Sequence, residues 1–149
     1  IKQVMFERPQ NLSLQEFSLA AQSMEVGSDE FNEVYEIAVR MYPDDEIANL
    51  NAANSAMAKG NLKVAERYLA KAGETKEAVY SRAVYAFLTR DYDQAEQLAK
   101  QSIEMGMDAE PKALLKEIED VRRRLSVYEK RGEADRAYET EPANSEVVK

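Results

Sequence analysis

Cysteine and histidine are both absent from this chain of 149 residues. Without cysteine there are no disulfides, no thiolate nucleophile and no thiolate metal ligands. Without histidine, the Ser-His-Asp and Cys-His catalytic arrangements, histidine metal ligands and histidine acid–base catalysis are excluded. Carboxylates and lysines are the side chains that remain as candidate catalytic groups.

Positive charge is also scarce, because the chain has 20 lysines and arginines but 28 aspartates and glutamates, which gives a net charge of −8. Phosphate binding requires a basic field, so we expect no nucleic-acid partner. The arginine run at residues 122–124 has Glu119 and Asp120 before it and Glu129 after it, which indicates a solvated helix face. No apolar run approaches the roughly 20 residues of a membrane span, so we expect no direct membrane insertion by this segment.

Motifs that would hold a cofactor or a metal are missing as well. No glycine-rich loop that could cradle a phosphate occurs, and no segment has the alternating oxygen ligands of a calcium loop. The acidic clusters at Asp29-Glu30 and at residues 44–46 each begin a predicted helix, where carboxylates stabilise the free amides and the helix dipole. We therefore predict a protein that is not an enzyme, with no catalytic residue, no metal and no cofactor.

Glycine and proline are few, five and four, and they fall where helices should end. Two nearly duplicate stretches, residues 60–66 (GNLKVAE) and 90–96 (RDYDQAE), each follow an alanine-rich helical pattern and begin another helix. Such an internal repeat of helix pairs predicts an all-α array, with neighbours made antiparallel by short loops. We predict three segments: a linker or exit of a preceding domain at 1–12, a helical-repeat domain at 13–131, and a flexible tail at 132–149. Within the repeat domain, the predicted helix pairs are 13–42, 44–72 and 75–105, and a capping helix follows at 108–131.

The last predicted helix carries a narrow apolar seam at alternating spacings of four and three, formed by Leu114, Ile118, Val121, Leu125 and Tyr128. A seam of this kind packs against one neighbour. One interpretation is a capping helix that covers the end of the array. The other is a self-association helix, which would make the protein a homodimer and this segment a structural spacer or dimerisation stalk.

The repeats resemble the tetratricopeptide family, whose two helices carry small residues at fixed places around a Gly-Asp-Tyr-like turn. Residues that fit this layout are Val79, Ala83, Ala86, Tyr92, Ala95 and Ala99 in one unit, and Asn49, Ala52, Ala53, Ala56, Leu62 and Ala65 in the unit before it. Arg82 departs from it, because the layout has an apolar residue there. The resemblance implies an array of antiparallel helix pairs wound into a right-handed superhelix, with a partner-binding groove on its inner side.

By that layout the groove side chains come from the first helix of each pair, and the best anchors among them are Leu50, Asn54, Met57, Tyr80, Val84 and Phe87. Gln15, Ser18, Gln22, Ile47 and Glu77 would share the same side. The lysines and arginines with which some of these grooves clamp a peptide carboxylate are absent, since Leu50, Glu77 and Tyr80 occupy the matching places. We expect a neutral, mildly apolar groove for a protein or peptide that is not strongly acidic. Met57 and Phe87 could instead pack against the next helix.

A narrower resemblance rests on residues 27–31 (GSDEF), 42–45 (YPDD) and 48–53 (ANLNAA). These strings are similar to the C-terminal helical segment of surface and fimbria-associated proteins of Bacteroides-type bacteria. That resemblance implies a β-rich domain before residue 1 and a location in the cell envelope or on the extracellular surface. The expected function is a protein-interaction or assembly module of a larger cell-surface protein, and a cytosolic tetratricopeptide scaffold is the alternative.

Overall fold

Seven α-helices and no strand make up the part of the chain that the structure describes, so the fold is all-α as predicted. The structure is a computed structural model, and it describes the backbone of residue 7 and residues 9–147 and the side chains of residues 7, 9–133 and 136. A short 3₁₀ helix at Pro9–Asn11 precedes the α-helices. The helices span Leu14–Gln22 (α1), Asp29–Met41 (α2), Glu46–Ala58 (α3), Leu62–Leu69 (α4), Lys76–Leu88 (α5), Tyr92–Glu104 (α6) and Ala109–Val147 (α7).

Most helix starts follow from local sequence. Ser13 forms a capping box, because its side chain accepts a hydrogen bond from the Glu16 amide and the Glu16 carboxylate accepts one from the Ser13 amide at 3.1 Å. Asp45, Thr75 and Asp91 likewise accept the amide three residues ahead. Asn61 precedes α4 in the same position, and its φ of −89° and ψ of 75° are close to the −91° and 79° of Asp91, but its side chain makes no such bond.

The two nearly duplicate turns have the same backbone geometry. Gly60 has a φ of +77° and Arg90 a φ of +67°, both in the left-handed region. In each turn the next amide bonds the carbonyl five residues before it, from Asn61 to Ala56 and from Asp91 to Ala86, both at 2.8 Å. This pattern ends a helix by satisfying one of its last carbonyls.

Each helix contacts the next one along the chain, and α5 also contacts both α3 and α7. Alanine is the most frequent residue of the core, and Ala53, Ala65, Ala83, Ala95 and Ala99 are completely buried. Small side chains at these contacts let the helix backbones approach closely. The repeat pattern thus places its smallest side chains where the helices meet.

One half of α7 packs on the array and the other half does not. Leu114 and Ile118 are buried against α5 and α6, at 6% and 1% exposure, whereas Leu125 and Tyr128 are 45% and 66% exposed. Between the two halves, Arg122 donates a hydrogen bond to Glu96 of α6 at 3.0 Å, which holds the pKa of the Glu96 carboxyl below its usual range. The helix leaves the array beyond this ion pair.

The sequence predicted that this helix ends at residue 131 and that 132–149 is a flexible tail. In the structure the helix does not end there, since α7 continues through Gly132 to Val147. A glycine inside a helix costs about 1 kcal/mol relative to alanine and does not by itself end it. The predicted linker at 1–12 lies largely outside the described residues, but Leu12 belongs to the core at 5% exposure.

Candidate functional site

Helices α3 and α5 carry the six residues predicted to line a groove, and the structure brings the two helices into contact. A hydrogen bond joins them at this place, since the Ser81 hydroxyl donates to Oδ1 of Asn54 at 2.7 Å. Ser81 is buried and Asn54 is exposed, so the bond fixes the amide of Asn54 at the surface.

Four other predicted groove residues of these two helices have apolar or aromatic side chains that are partly exposed. They are Leu50, Tyr80, Val84 and Phe87. Together with Asn54 they form a mixed apolar and polar surface, which we call the α3–α5 surface. Apolar side chains that keep part of their area in water are those that a bound partner can still cover.

Met57 is the exception among the six predicted residues. It is 9% exposed and belongs to a core cluster with Ala56 and Ala65, against which Tyr85 also packs. The prediction that Met57 lines the groove is therefore corrected. The reason is that Ala56 and Ala65 leave room between α3 and α4 that the flexible Met57 side chain fills.

The two predicted aromatic anchors pack toward α6 and α7. Phe87 meets Tyr92 edge to face, with ring centroids 5.7 Å apart, and so helps to hold α6. Tyr80 packs on the cluster that includes Leu114 and Ile118. Partial burial raises the pKa of the Tyr80 hydroxyl, and the charges of Glu110 and Glu117 on α7 raise it further. The Tyr80 end of the α3–α5 surface is therefore acidic.

Other residues predicted for the same side are placed near the beginning of the array. Gln15, Ser18 and Ile47 line a cavity of about 110 Å³ between α1, α2 and α3. Ile47 is 63% exposed, although its neighbour Ala48 is buried. Gln22 and Glu77 are exposed.

The predicted seam on α7 is divided by the fold. Leu114 and Ile118 contact the array, Val121 is half-buried, and Leu125 and Tyr128 remain exposed together with Val127 at 53%. The first part therefore covers the end of the array, as the capping interpretation requires. The second part is an apolar face with no partner among the described residues.

A larger cavity that sequence reasoning missed lies between α4, α5 and α6. It has a volume of about 330 Å³, and Leu69, Arg82, Tyr85 and Leu98 are among its lining residues. The Tyr85 hydroxyl donates to Glu66 at 3.0 Å across it. The signal in the sequence was Arg82, the residue that departs from the family layout.

Arg82 supports the end of α4. Its Nη2 donates to the carbonyl oxygen of Leu69 at 2.7 Å, in the last turn of α4, and its Nη1 lies 3.4 Å from Glu74. The four last carbonyls of a helix have no partner within it. The Leu69 carbonyl accepts the Ala72 amide at 3.2 Å, and Arg82 adds a second, charged donor.

We expect Arg82→Met to lower the free energy of unfolding by about 1–3 kcal/mol, because the methionine keeps the packing of the stem but loses the charge-assisted hydrogen bond to the Leu69 carbonyl. Urea unfolding followed by circular dichroism measures this. Arg40→Met, at an arginine with no hydrogen bond or salt bridge in the described part of the chain, is the matched control and should change stability by less than about 0.5 kcal/mol. Equal losses in the two variants would contradict the role of Arg82.

Within the described residues, no group of three or more Asp and Glu side chains is placed to hold a metal ion. None of the helices described is long and apolar enough to span a bilayer. Comparison of the chain with protein-family models, with curated proteins and with solved structures found no significant match.

Proposed function

We propose that this chain is a non-catalytic module for protein interaction or assembly, and that it binds a peptide segment of a partner on the α3–α5 surface. The observation that carries the proposal is that the contacting helices α3 and α5 carry the half-buried side chains Leu50, Tyr80 and Val84 and the fixed amide of Asn54. Aromatic and aliphatic anchors beside a few oriented polar groups are typical of peptide-binding surfaces.

The proposed architecture is a tetratricopeptide-like right-handed superhelix of three helix pairs with α7 as its cap. Two observations support it. The turns at Gly60 and Arg90 have the same geometry thirty residues apart in the chain. Helix α5, the first of the third pair, contacts both α3, the first of the second pair, and α7. In a stacked array, each repeat contacts its neighbours in this way.

The charges near the surface decide which partner suits it. Glu110 and Glu117 lie close enough to Tyr80 to raise its pKa, and the chain as a whole carries −8. An acidic peptide would be repelled, while a peptide with arginine or lysine beside an apolar residue would be attracted. We therefore propose a neutral or basic segment as the partner of this surface.

Peptides selected from a random display library on the full chain would test this, with their affinities measured by isothermal titration calorimetry. We expect basic and apolar residues to dominate the selected peptides. The Tyr80→Ser variant should bind them at least about tenfold more weakly, since losing a partly desolvated aromatic contact costs on the order of 1–2 kcal/mol.

Leu88→Ser is the matched control, because Leu88 lies on the same helix, is 42% exposed and belongs to none of the predicted groove residues. Its affinity for the selected peptides should equal that of the unchanged chain. If the two variants lose affinity equally, or if only acidic peptides are selected, the proposal for the α3–α5 surface is wrong.

A second candidate function is a dimerisation stalk, and the exposed face formed by Leu125 and Tyr128 favours it. Beyond Val121, α7 continues for about 39 Å at about 1.5 Å per residue. A second copy could cover this face by helix–helix packing. In that case the protein is a spacer that joins two copies through α7.

The proposed location is the cell envelope or the extracellular surface, as part of a larger protein of the fimbria-associated class. This rests on the resemblance of residues 27–31, 42–45 and 48–53 described above. A cytosolic scaffold is the alternative. Protease added to intact source cells distinguishes the two, with the chain detected by an antibody. A surface protein is digested, and a cytosolic one is protected.

A further inference from the structure

A cavity between α2 and α4 carries three positive charges on a protein that is otherwise acidic. Its volume is about 470 Å³, and its charged lining residues are Arg40, Arg67 and Lys71. No aspartate or glutamate is among the residues that line it. We call this cavity the basic cleft; it lies apart from the α3–α5 surface and shares no residue with it.

The two arginines of the basic cleft are free to bind. Neither Arg40 nor Arg67 has a carboxylate within 4 Å in the described part of the chain, whereas Arg82, Arg122 and Arg123 are all paired. The charge of Arg40 does contribute to lowering the pKa of Glu36, although the two side chains form no salt bridge. Lys71 lies 3.3 Å from Asp44, whose side chain is 90% exposed, and a pair so exposed is readily exchanged for another anion.

The helix dipole explains why Arg40 and Arg67 lie at helix ends, but not why they line the same cavity. Arg40 and Arg67 both lie in the last turn of a helix, where a cation favours the helix dipole. The dipole acts on each helix separately, however, and does not require the two arginines and Lys71 to line one cavity. Their convergence is a property of how α2 and α4 are placed beside each other.

The rest of the cleft is apolar and held in place. Val39 is buried at 4% exposure and, with Pro43 and Ala70, contributes apolar lining. The buried amide of Asn49 donates to the carbonyl oxygens of Pro43 at 2.9 Å and Asp45 at 2.7 Å, which fixes the turn that forms one side. An organised apolar surface below a group of cations suits a ligand that has methylene groups beneath a carboxylate.

From this geometry we infer that the basic cleft binds an acidic peptide segment of a partner protein through glutamate or aspartate carboxylates. A guanidinium presents paired N–H donors that match the two oxygens of a carboxylate, and such charge-assisted bonds are the stronger hydrogen bonds in proteins. The volume falls in the range of about 300–1,000 Å³ that is usual for ligand pockets, which is more than a single inorganic anion needs. The inference goes beyond the proposed function, since it assigns a second surface with the opposite charge preference.

Fluorescence anisotropy with the full chain and a short labelled peptide that alternates glutamate and serine tests the inference. We expect saturable binding that weakens as the ionic strength rises from about 0.01 M to about 0.15 M, because the cleft is open to solvent. The matched peptide with glutamine in place of glutamate should bind at least tenfold more weakly. Equal binding of the two peptides would overturn the inference.

The double variant Arg40→Gln/Arg67→Gln should weaken binding of the glutamate peptide at least tenfold. The control double variant Arg124→Gln/Arg131→Gln makes the same change of net charge at two exposed arginines of α7, and its affinity should stay within about twofold of the unchanged chain, since distant exposed charges are screened. Equal losses in the two double variants would show a general charge effect and overturn the assignment. Because all four arginines are exposed, both variants should melt like the unchanged chain.

Two further measurements separate this inference from its alternatives. Inorganic phosphate should displace the glutamate peptide no better than chloride at equal ionic strength; stronger displacement would assign the cleft to phosphate groups instead. Tyr80→Ser should leave binding of the glutamate peptide unchanged, so that failure of the α3–α5 surface and failure of the basic cleft are seen independently. If Tyr80→Ser loses binding of the glutamate peptide, the peptide binds on the α3–α5 surface and the inference for the basic cleft is wrong.

Discussion

Replacing Ile118 with alanine is expected to lower the free energy of unfolding by about 2–5 kcal/mol. Ile118 is 1% exposed and packs with Leu114 in the cluster that joins α7 to α5 and α6. Removing its outer carbons leaves a cavity between three helices that cannot close around it, so both burial and contact energy are lost. Chemical denaturation followed by circular dichroism measures the loss.

Leu125→Ala is the matched control, because Leu125 lies on the same seam of the same helix, two helical turns further along. It is 45% exposed, so its truncation should change the stability of the monomer by no more than about 0.5 kcal/mol. Comparable losses for Ile118→Ala and Leu125→Ala at low protein concentration would contradict the division of the seam into a covered and an uncovered half.

The same helix distinguishes the two candidate functions. If α7 serves only as a cap, light scattering gives a monomer at all concentrations and Leu125→Asp has no effect on mass. If the exposed half joins two copies, the mass rises with concentration and Leu125→Asp abolishes the rise, because a charge placed in a helix–helix seam is not paired.

Phe17→Ala is expected to have a comparable or larger effect, a loss of about 3–5 kcal/mol. Phe17 is 1% exposed and meets Tyr42 edge to face, with ring centroids 6.4 Å apart. The Tyr42 hydroxyl in turn donates to the Leu12 carbonyl at 2.7 Å, so this aromatic pair connects the chain before α1 to the end of α2. Truncating Phe17 removes the side chain around which these three segments pack.

Leu19→Ala on the same helix is the control, since Leu19 is 54% exposed and should lose no more than about 0.5 kcal/mol. Thermal unfolding monitored by calorimetry and by far-ultraviolet circular dichroism also shows whether α1 and α2 belong to the cooperative unit. One shifted transition for Phe17→Ala means that they do. A second, separate transition would mean that the first helix pair unfolds independently.

Local sequence was sufficient for the helices and for most of their starts, because a cap involves only neighbouring residues. Ser13, Asp45, Thr75 and Asp91 each accept the backbone amide three residues ahead. Asn61 has a side chain suited to the same role and nearly the same backbone angles as Asp91, yet it makes no cap bond. Residue type alone does not reveal this difference.

The candidate site was predicted less completely, because exposure depends on neighbours that are distant in sequence. The resemblance to the tetratricopeptide layout placed Leu50, Asn54, Met57, Tyr80, Val84 and Phe87 on one side of the array. In the structure Met57 belongs to the core, and Phe87 packs against Tyr92 of α6. The basic cleft was not found at all. Its cations are 27 and 31 residues apart along the chain, and nothing in a single sequence relates Arg40 to Arg67 and Lys71.

By itself, the sequence determined that the chain is helical and acidic, that its turns repeat, and that chemistry requiring cysteine or histidine is excluded. These properties depend on residue types and on spacings within one or two helical turns. Only the tertiary structure decided that the α7 seam is covered at Ile118 and open at Leu125, and that three cations meet between α2 and α4. Burial and electrostatic convergence are properties of packed helices, and they exist only once helices far apart in the chain have come into contact.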